Sequence, residues 1–281
     1  LLGETRTWEL LAFIHVAKTG GQTIETMLAN SFGGAYSTAP EWARRKDSET
    51  DSQGFVVPKF QADDLRRLLR LCPWTRCVGG HPVTLWSGFD DVVPTRWFSM
   101  IREPLARGAS HFQYNLQDKT VPPRQWDEWV AWPVHHNHQV KMFSPQGKAE
   151  DAIERILAQD VFVGLTECFD ESLVMLERLV APGLNISYRR TNTASDNSCA
   201  RGVLADAGKV EQLKKMYDEE LILHEFVARE LYPRFKKEYG KTLAADVETF
   251  RLNREKSFNR LRYWQSRLNH HLVLRPSIFL R

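Results

Sequence analysis

The chain predicts an α/β fold on a parallel sheet, and three observations carry that expectation. Short apolar runs without helical spacing recur at Leu10–Val16, Arg96–Ile101 and Val161–Leu165, as buried strands do. A helical pattern follows each run. The first two runs also end in abrupt breakers, Lys18-Thr19-Gly20-Gly21 and Arg102-Glu103-Pro104. At 281 residues, 42% apolar and 11% aromatic, core material is ample, which excludes a collagenous, low-complexity or wholly disordered chain.

The first run passes through its glycine-containing turn into a helix over residues 22–30, with Ile24, Met27 and Leu28 on one face. Residues 33–58, rich in Gly, Ser, Pro and charge, read as an irregular excursion. Residues 62–71 form a helix with Leu65, Leu68 and Leu69 on its apolar side. Cys77-Val78-Gly79-Gly80-His81 reads as a short strand ending in a turn. After the 96–101 strand, Pro104 opens a helix to about Leu116, since its missing N–H would be unpaired there anyway. Residues 122–133 read as a loop with a short helix, and 149–158 as a helix. The third strand leads to a helix over 169–180. A polar loop is expected over 192–202, one or two amphipathic helices over 208–239, and then a basic tail. The organisation is one α/β domain over residues 1–240 and a basic helical C-terminal tail over 241–281.

The net charge of +3 does not suggest nucleic-acid binding, but it is uneven: Arg251 to Arg281 carry eight Arg/Lys against one acid, Glu255. Leu252, Phe258, Leu261, Tyr263, Trp264 and Leu268 interleave with those cations, and packing or pairing with another subunit is favoured over membrane contact. No run reaches the roughly 20 apolar residues of a membrane helix. The start at Leu1 without Met leaves an upstream signal or anchor open, so the compartment is unsettled: cytoplasmic if prokaryotic, Golgi lumen if eukaryotic with a trimmed anchor. Cys72, Cys77, Cys168 and Cys199 form no framework; Cys72 and Cys77 could bridge in an oxidising compartment, against the blander reading of small semi-buried thiols.

In a parallel sheet, ligands sit at the carboxyl ends of the strands, and three such ends hold chemistry-bearing residues. In Ala17–Thr23, Gly20 and Gly21 allow close approach of an anion and the helix start at Gln22 points N–H groups at it. Lys18 adds charge, and Thr19 and Thr23 add hydroxyls. This is a phosphate cradle, but not a nucleotide-triphosphatase loop, because the Lys precedes the glycines. A plain turn with a solvated Lys is the alternative. Arg102 closes the second strand, where its guanidinium can grip a phosphate with help from the Ser110 hydroxyl, or else pair with Glu103 while Arg107 braces the loop. His81, after Gly79-Gly80, is free to face the cleft as a general base; a lone His is more often structural.

Taken together, these segments resemble the PAPS-dependent carbohydrate sulfotransferases, the group that includes heparan sulfate 2-O- and 6-O-sulfotransferases. Phe13–Gly21 is similar to that family's 5′-phosphosulfate loop, with Ala17 where Pro is usual. Ile101 to Ser110 is similar to its 3′-phosphate motif, with Glu103 where Asp is commoner. Gly80-His81 falls where the family places its base. Asn137–Met142, Phe162–Glu167 and Tyr217–Leu221 are similar to later blocks, so the resemblance spans roughly residues 10–240. It implies a P-loop-NTPase-like domain, PAPS as donor and PAP as product. It also implies Lys18, Thr19, Gly20, Gly21, Gln22, Thr23, Arg102 and Ser110 as donor-binding residues, His81 and Lys18 as catalytic residues, and a hydroxyl acceptor, expected to be a carbohydrate. No metal is required, and a homo-oligomer is compatible. The alternatives are a kinase-like nucleotide-binding protein, which would need a Lys after the glycines and a Mg²⁺-holding Asp, or a non-catalytic PAP-binding module.

His135-His136-Asn137-His138 invites a metal but lacks a His-x-x-x-His pair or nearby Cys, and reads better as a polar loop lining the acceptor cleft. Trp126, Trp129 and Trp132 could stack on sugars or be core. Arg44-Arg45-Lys46 and Arg66-Arg67 could hold an anionic polymer, or be solvated faces.

Overall fold

The computed structural model describes residues 9–39, 60–118, 122–188, 197–256 and 259–274. Arg44-Arg45-Lys46, most of the 33–58 excursion and part of the 192–202 loop lie outside the described residues.

Five parallel strands form one sheet in the order β2-β3-β1-β4-β5. The strands are β1 (Leu10–Ile14), β2 (Tyr36–Thr38), β3 (Cys77–Gly80), β4 (Thr95–Ile101) and β5 (Phe162–Leu165). All five residues of β1 are buried, because helices cover both faces of the central strand. Phe13 stacks on Phe98 of β4 at 4.9 Å, tying two adjacent strands on one face. Ile14 is level with Gly80 on one side and Ser99 on the other, so the loops leaving β3, β1 and β4 emerge side by side. The chain leaves β1 toward β2 at one edge and continues from β4 toward β5 at the other. The β1–β4 crevice is therefore a topological switch point, where open α/β sheets bind ligands.

The expected helices form as α1 (Gly21–Phe32), α2 (Ala62–Leu71) and α3 (Pro104–Gln117), followed by the short α4 (Trp126–Ala131). Gln61 and Asp64 cap α2 reciprocally, and Glu103 caps α3 by accepting from the Leu105 and Ala106 N–H groups. Further along come α5 (His138–Phe143), α6 (Ala149–Ala158), α7 (Phe169–Leu179) and α8 (Ser198–Ala205).

Several expectations need correction. Tyr36–Thr38 is an edge strand rather than irregular chain; at three residues it has no run length to announce it, and pairing with β3 makes it. The 135–138 polar loop continues into α5, whose Gln139 to Phe143 are all buried. The 192–202 polar loop is helical from Ser198. Residues 208–239, read as one or two helices, divide into α9 (Ala207–Met216), α10 (Asp218–Phe226), a wide π turn (Val227–Leu231) and α11 (Tyr232–Tyr239). Cys72 and Cys77 are both buried free thiols, so the bridge considered for them is not formed; burial pushes both thiol pKa values up.

Two helices follow in the C-terminal stretch, α12 (Leu243–Asn253) and α13 (Arg260–Asn269), the latter ending in a π turn over His270–Leu274. Leu243 and Val247 of α12 join the main core. A second apolar cluster gathers Ala109, Phe112, Trp129, Leu213, Met216 and Tyr217. Trp129, considered as a sugar platform, is fully buried there.

Candidate functional site

The loop after β1 is held from inside and outside. The buried Thr19 hydroxyl donates to the Val16 carbonyl at 2.8 Å. The Thr166 hydroxyl, just past β5, lies 3.1 Å from the Thr19 carbonyl and 2.9 Å from that of Ile101, so one hydrogen bridges the β1 and β4 loops. Lys18 (φ 69°) and Gly20 (φ 82°) are both left-handed. For Lys18 that conformation costs about 1–2 kcal/mol, which the loop's fixed carbonyl contacts must offset. At Gly21 no side chain fits: a Cβ would lie 1.9 Å from His15 Nε2. Gly21 therefore lets α1 begin directly against that imidazole. No side chain caps α1 and its first turn has no acid, which leaves its positive end bare. Gln22 is exposed and Thr23 half-buried in that turn, and the Thr23 N–H already donates to the Gly20 carbonyl at 3.0 Å.

Two cations meet at this edge. Lys18 Nζ sits 4.3 Å from the centre of the Tyr114 ring, and Arg102 Nη1 approaches the Lys18 carbonyl at 3.4 Å. Among the described residues neither is in a salt bridge. Burial lowers the pKa of both, and Arg102 lowers Lys18 further. Two half-buried cations beside each other are an unfavourable arrangement that an anion would relieve. Ser110, half-buried on α3, stands one turn before Tyr114 and so shares the helix face that meets Lys18.

Arg102 makes no ion pair with Glu103, although the charges of Glu167 and Glu103 oppose the lowering of its pKa by burial. The Glu103 carboxylate is occupied in capping α3, and its N–H donates to Glu167 Oε1 at 2.7 Å. The backbone of Arg102 is instead clamped by Gln139, which accepts from its N–H at 2.9 Å and donates to its carbonyl at 2.9 Å. Gln139 also donates to Glu220 from both its side chain and its backbone N–H, each at 2.9 Å. Glu220 accepts two bonds from Arg107, at 3.1 and 2.8 Å, and both side chains are fully buried. Arg107 is thus the brace, and Arg102 stays half-buried at the sheet edge. Against the cost of burial, Glu220 holds the Arg107 guanidinium above its usual pKa.

His81 lies one residue past the end of β3. Its Nδ1 is 2.9 Å from the His15 carbonyl. A carbonyl can only accept, so Nδ1 carries the hydrogen and Nε2 keeps the lone pair that a base needs. The His81 ring stacks on that of His15 at 3.9 Å, and His15 Nδ1 in turn holds Glu25 Oε1 at 2.8 Å. His111, one residue after Ser110 on α3, sits edge-on to Trp129 and His135; burial, followed by the charge of Arg107, pushes its pKa well below the usual range. A weakly basic, enclosed imidazole is the poorer base.

The histidine run does not gather as a metal site. His135 Nδ1 contacts the Trp129 carbonyl at 2.8 Å and His136 Nε2 the Val130 carbonyl at 2.7 Å. Among the described residues no group of three His, Cys, Asp or Glu is arranged to hold a metal. Trp132 is partly exposed, with the Arg124 guanidinium 3.6 Å over its ring.

Nothing in the sequence assigns a role to Glu25, Tyr114, Thr166 or the Gln139–Glu220 pair. Gln139 and Glu220 fall inside blocks noted only for resemblance. Glu25 is marked by nothing but its place one turn into α1. No family model and no curated protein matches the chain.

Proposed function

We propose that this protein transfers a sulfuryl group from PAPS to an acceptor hydroxyl, with a carbohydrate as the acceptor class. The observation that carries the reading is the adjacency of three strand ends, with His81 after β3, Lys18 after β1 and Arg102 after β4. Two half-buried cations that form no ion pair among the described residues, beside a bare helix start, suit a donor with phosphate at both ends. The strand order is compatible with the P-loop-like fold that the resemblance implies.

In the proposed step the acceptor oxygen attacks sulfur, and the bond from sulfur to the phosphate oxygen breaks. The acceptor proton passes to His81 Nε2, and the negative charge left on the phosphate is met by Lys18. A sulfate ester, PAP and one proton result. Arg102 and Ser110 hold the 3′-phosphate, away from the bonds that change. Catalysis then rests on positioning and charge neutralisation, which need no redox partner.

The experiment is transfer from labelled PAPS to a panel of glycans, phenols and small alcohols, with His81→Ala as control. The expected result is labelled glycan, with turnover falling on the order of 10²–10⁴-fold in the variant while PAP affinity stays within a few-fold. PAP binding without transfer to any acceptor would leave a non-catalytic binding module. Phosphoryl transfer from ATP would replace the proposal with the kinase-like alternative.

A further inference from the structure

Helix α13 is amphipathic in the reverse sense. Its inward face packs Tyr263 against the main core but is otherwise polar: Arg262 Nη1 donates to the Ser31 carbonyl at 2.7 Å, Asn269 to the Gly34 carbonyl at 3.0 Å, and Ser266 is buried. Asn259 caps the helix and ties it to Asn30 of α1. Its outward face is apolar. Leu261, Trp264 and Leu268 follow at spacings of three and four and are 69%, 60% and 54% exposed; Leu272, four further on, is 69% exposed. Four large apolar side chains in one outward stripe are not the scattered exposure of an ordinary surface. Exposed Arg260 and Arg267 border the stripe, and no acid follows Glu255 in the chain.

We propose that this face docks on an anionic lipid bilayer, with α13 lying in the interface and its apolar stripe among the acyl chains. The charge pattern selects the occupant. A second copy of the helix would set Arg against Arg with no acid on either side, whereas anionic headgroups complement the bordering cations. The polar hydrogen bonds to residues 30–34 hold the helix to the domain from behind, so docking needs no unfolding. Leu261 and Leu268 supply the buried area and Trp264 the ring suited to the headgroup level. This inference does not depend on the chemistry proposed for the strand ends.

The test is co-sedimentation of the full chain with vesicles of phosphatidylcholine alone, and of phosphatidylcholine with phosphatidylserine in equal parts. Binding is expected only to the second, weakening as salt rises. Leu261→Ser with Leu268→Ser, and separately Arg260→Ser with Arg267→Ser, should each weaken it on the order of tenfold. All four residues are exposed, so circular dichroism should report unchanged folding. No partition onto anionic vesicles, or partition that neither pair of substitutions alters, would overturn the proposal. So would a concentration-dependent dimer that the Leu261→Ser/Leu268→Ser variant dissolves, which would give the face to self-association.

Discussion

His15 and His81 stand one residue beyond the paired strand positions Ile14 and Gly80, and their rings stack at 3.9 Å. Parallel register puts them there, since residues that follow a level pair leave the sheet side by side. His15 is anchored by Glu25 and pressed against Gly21, so it is a fixed platform for the more exposed His81.

His15 should therefore act as a positioning residue for His81. His15→Phe keeps a ring for stacking, whereas His15→Ala removes it. Turnover should fall roughly tenfold or more in the Ala variant and be largely retained in the Phe variant, with PAP affinity unchanged in both, because a loosened base loses near-attack geometry. Equal losses in the two variants, measured by transfer kinetics, would place the effect elsewhere.

Lys18→Ala should cost on the order of 2–4 kcal/mol of transition-state stabilisation, by analogy with removing one preorganised donor. The pH dependence of PAP binding gives a second reading. Burial and Arg102 lower the pKa of Lys18 in the free protein, and a bound phosphate raises it again. Affinity should be full below the free-protein pKa and decline as pH rises through it toward the bound-state value. Calorimetry across alkaline pH checks this, with Lys18→Ala expected to flatten that part of the profile.

Arg102→Ala and Ser110→Ala should weaken PAP binding and leave an analogue lacking the 3′-phosphate nearly unaffected. Equal losses for both ligands in calorimetry would contradict the assignment. Arg107→Leu tests the brace behind them. It strands Glu220 as a buried charge and should destabilise by about 3–5 kcal/mol in denaturant unfolding. Replacing both Arg107 and Glu220 with apolar residues should recover part of that loss.

Acid should destabilise the fold through His135, whose pKa burial lowers to about 4. The unfolded chain binds the proton near 6.5, so between those values it holds more protons than the folded one and stability falls as pH falls. The loss saturates below the lower value at on the order of 3 kcal/mol. Burial depresses His111 and His138 in the same direction. His135→Phe should flatten the acid limb of a thermal-melting series.

The chain alone determined the α/β class, the four strands β1, β3, β4 and β5 and the helices over 62–71 and 149–158, because burial on both faces leaves continuous apolar runs and one-sided burial leaves a helical period. It also singled out Lys18, Arg102 and His81 as residues at strand ends. Tertiary structure decided what local pattern cannot encode. Three-residue β2 is a strand only because β3 pairs with it. The order β2-β3-β1-β4-β5, and with it the neighbours of each strand end, comes from crossovers between segments far apart in sequence. Arg107 and Arg102 look alike in the chain. One meets Glu220, 113 residues away, and is buried as a brace; the other stays half-buried at the sheet edge, with Glu167 and Glu103 acting on it through their charge but forming no ion pair with it. On sequence alone, the apolar residues interleaved with Arg in α13 suit packing over the domain or pairing with another subunit better than membrane contact. Instead Tyr263 packs inward on the core, and hydrogen bonds to fixed groups at residues 30–34 hold the same face, so Leu261, Trp264 and Leu268 are left outward.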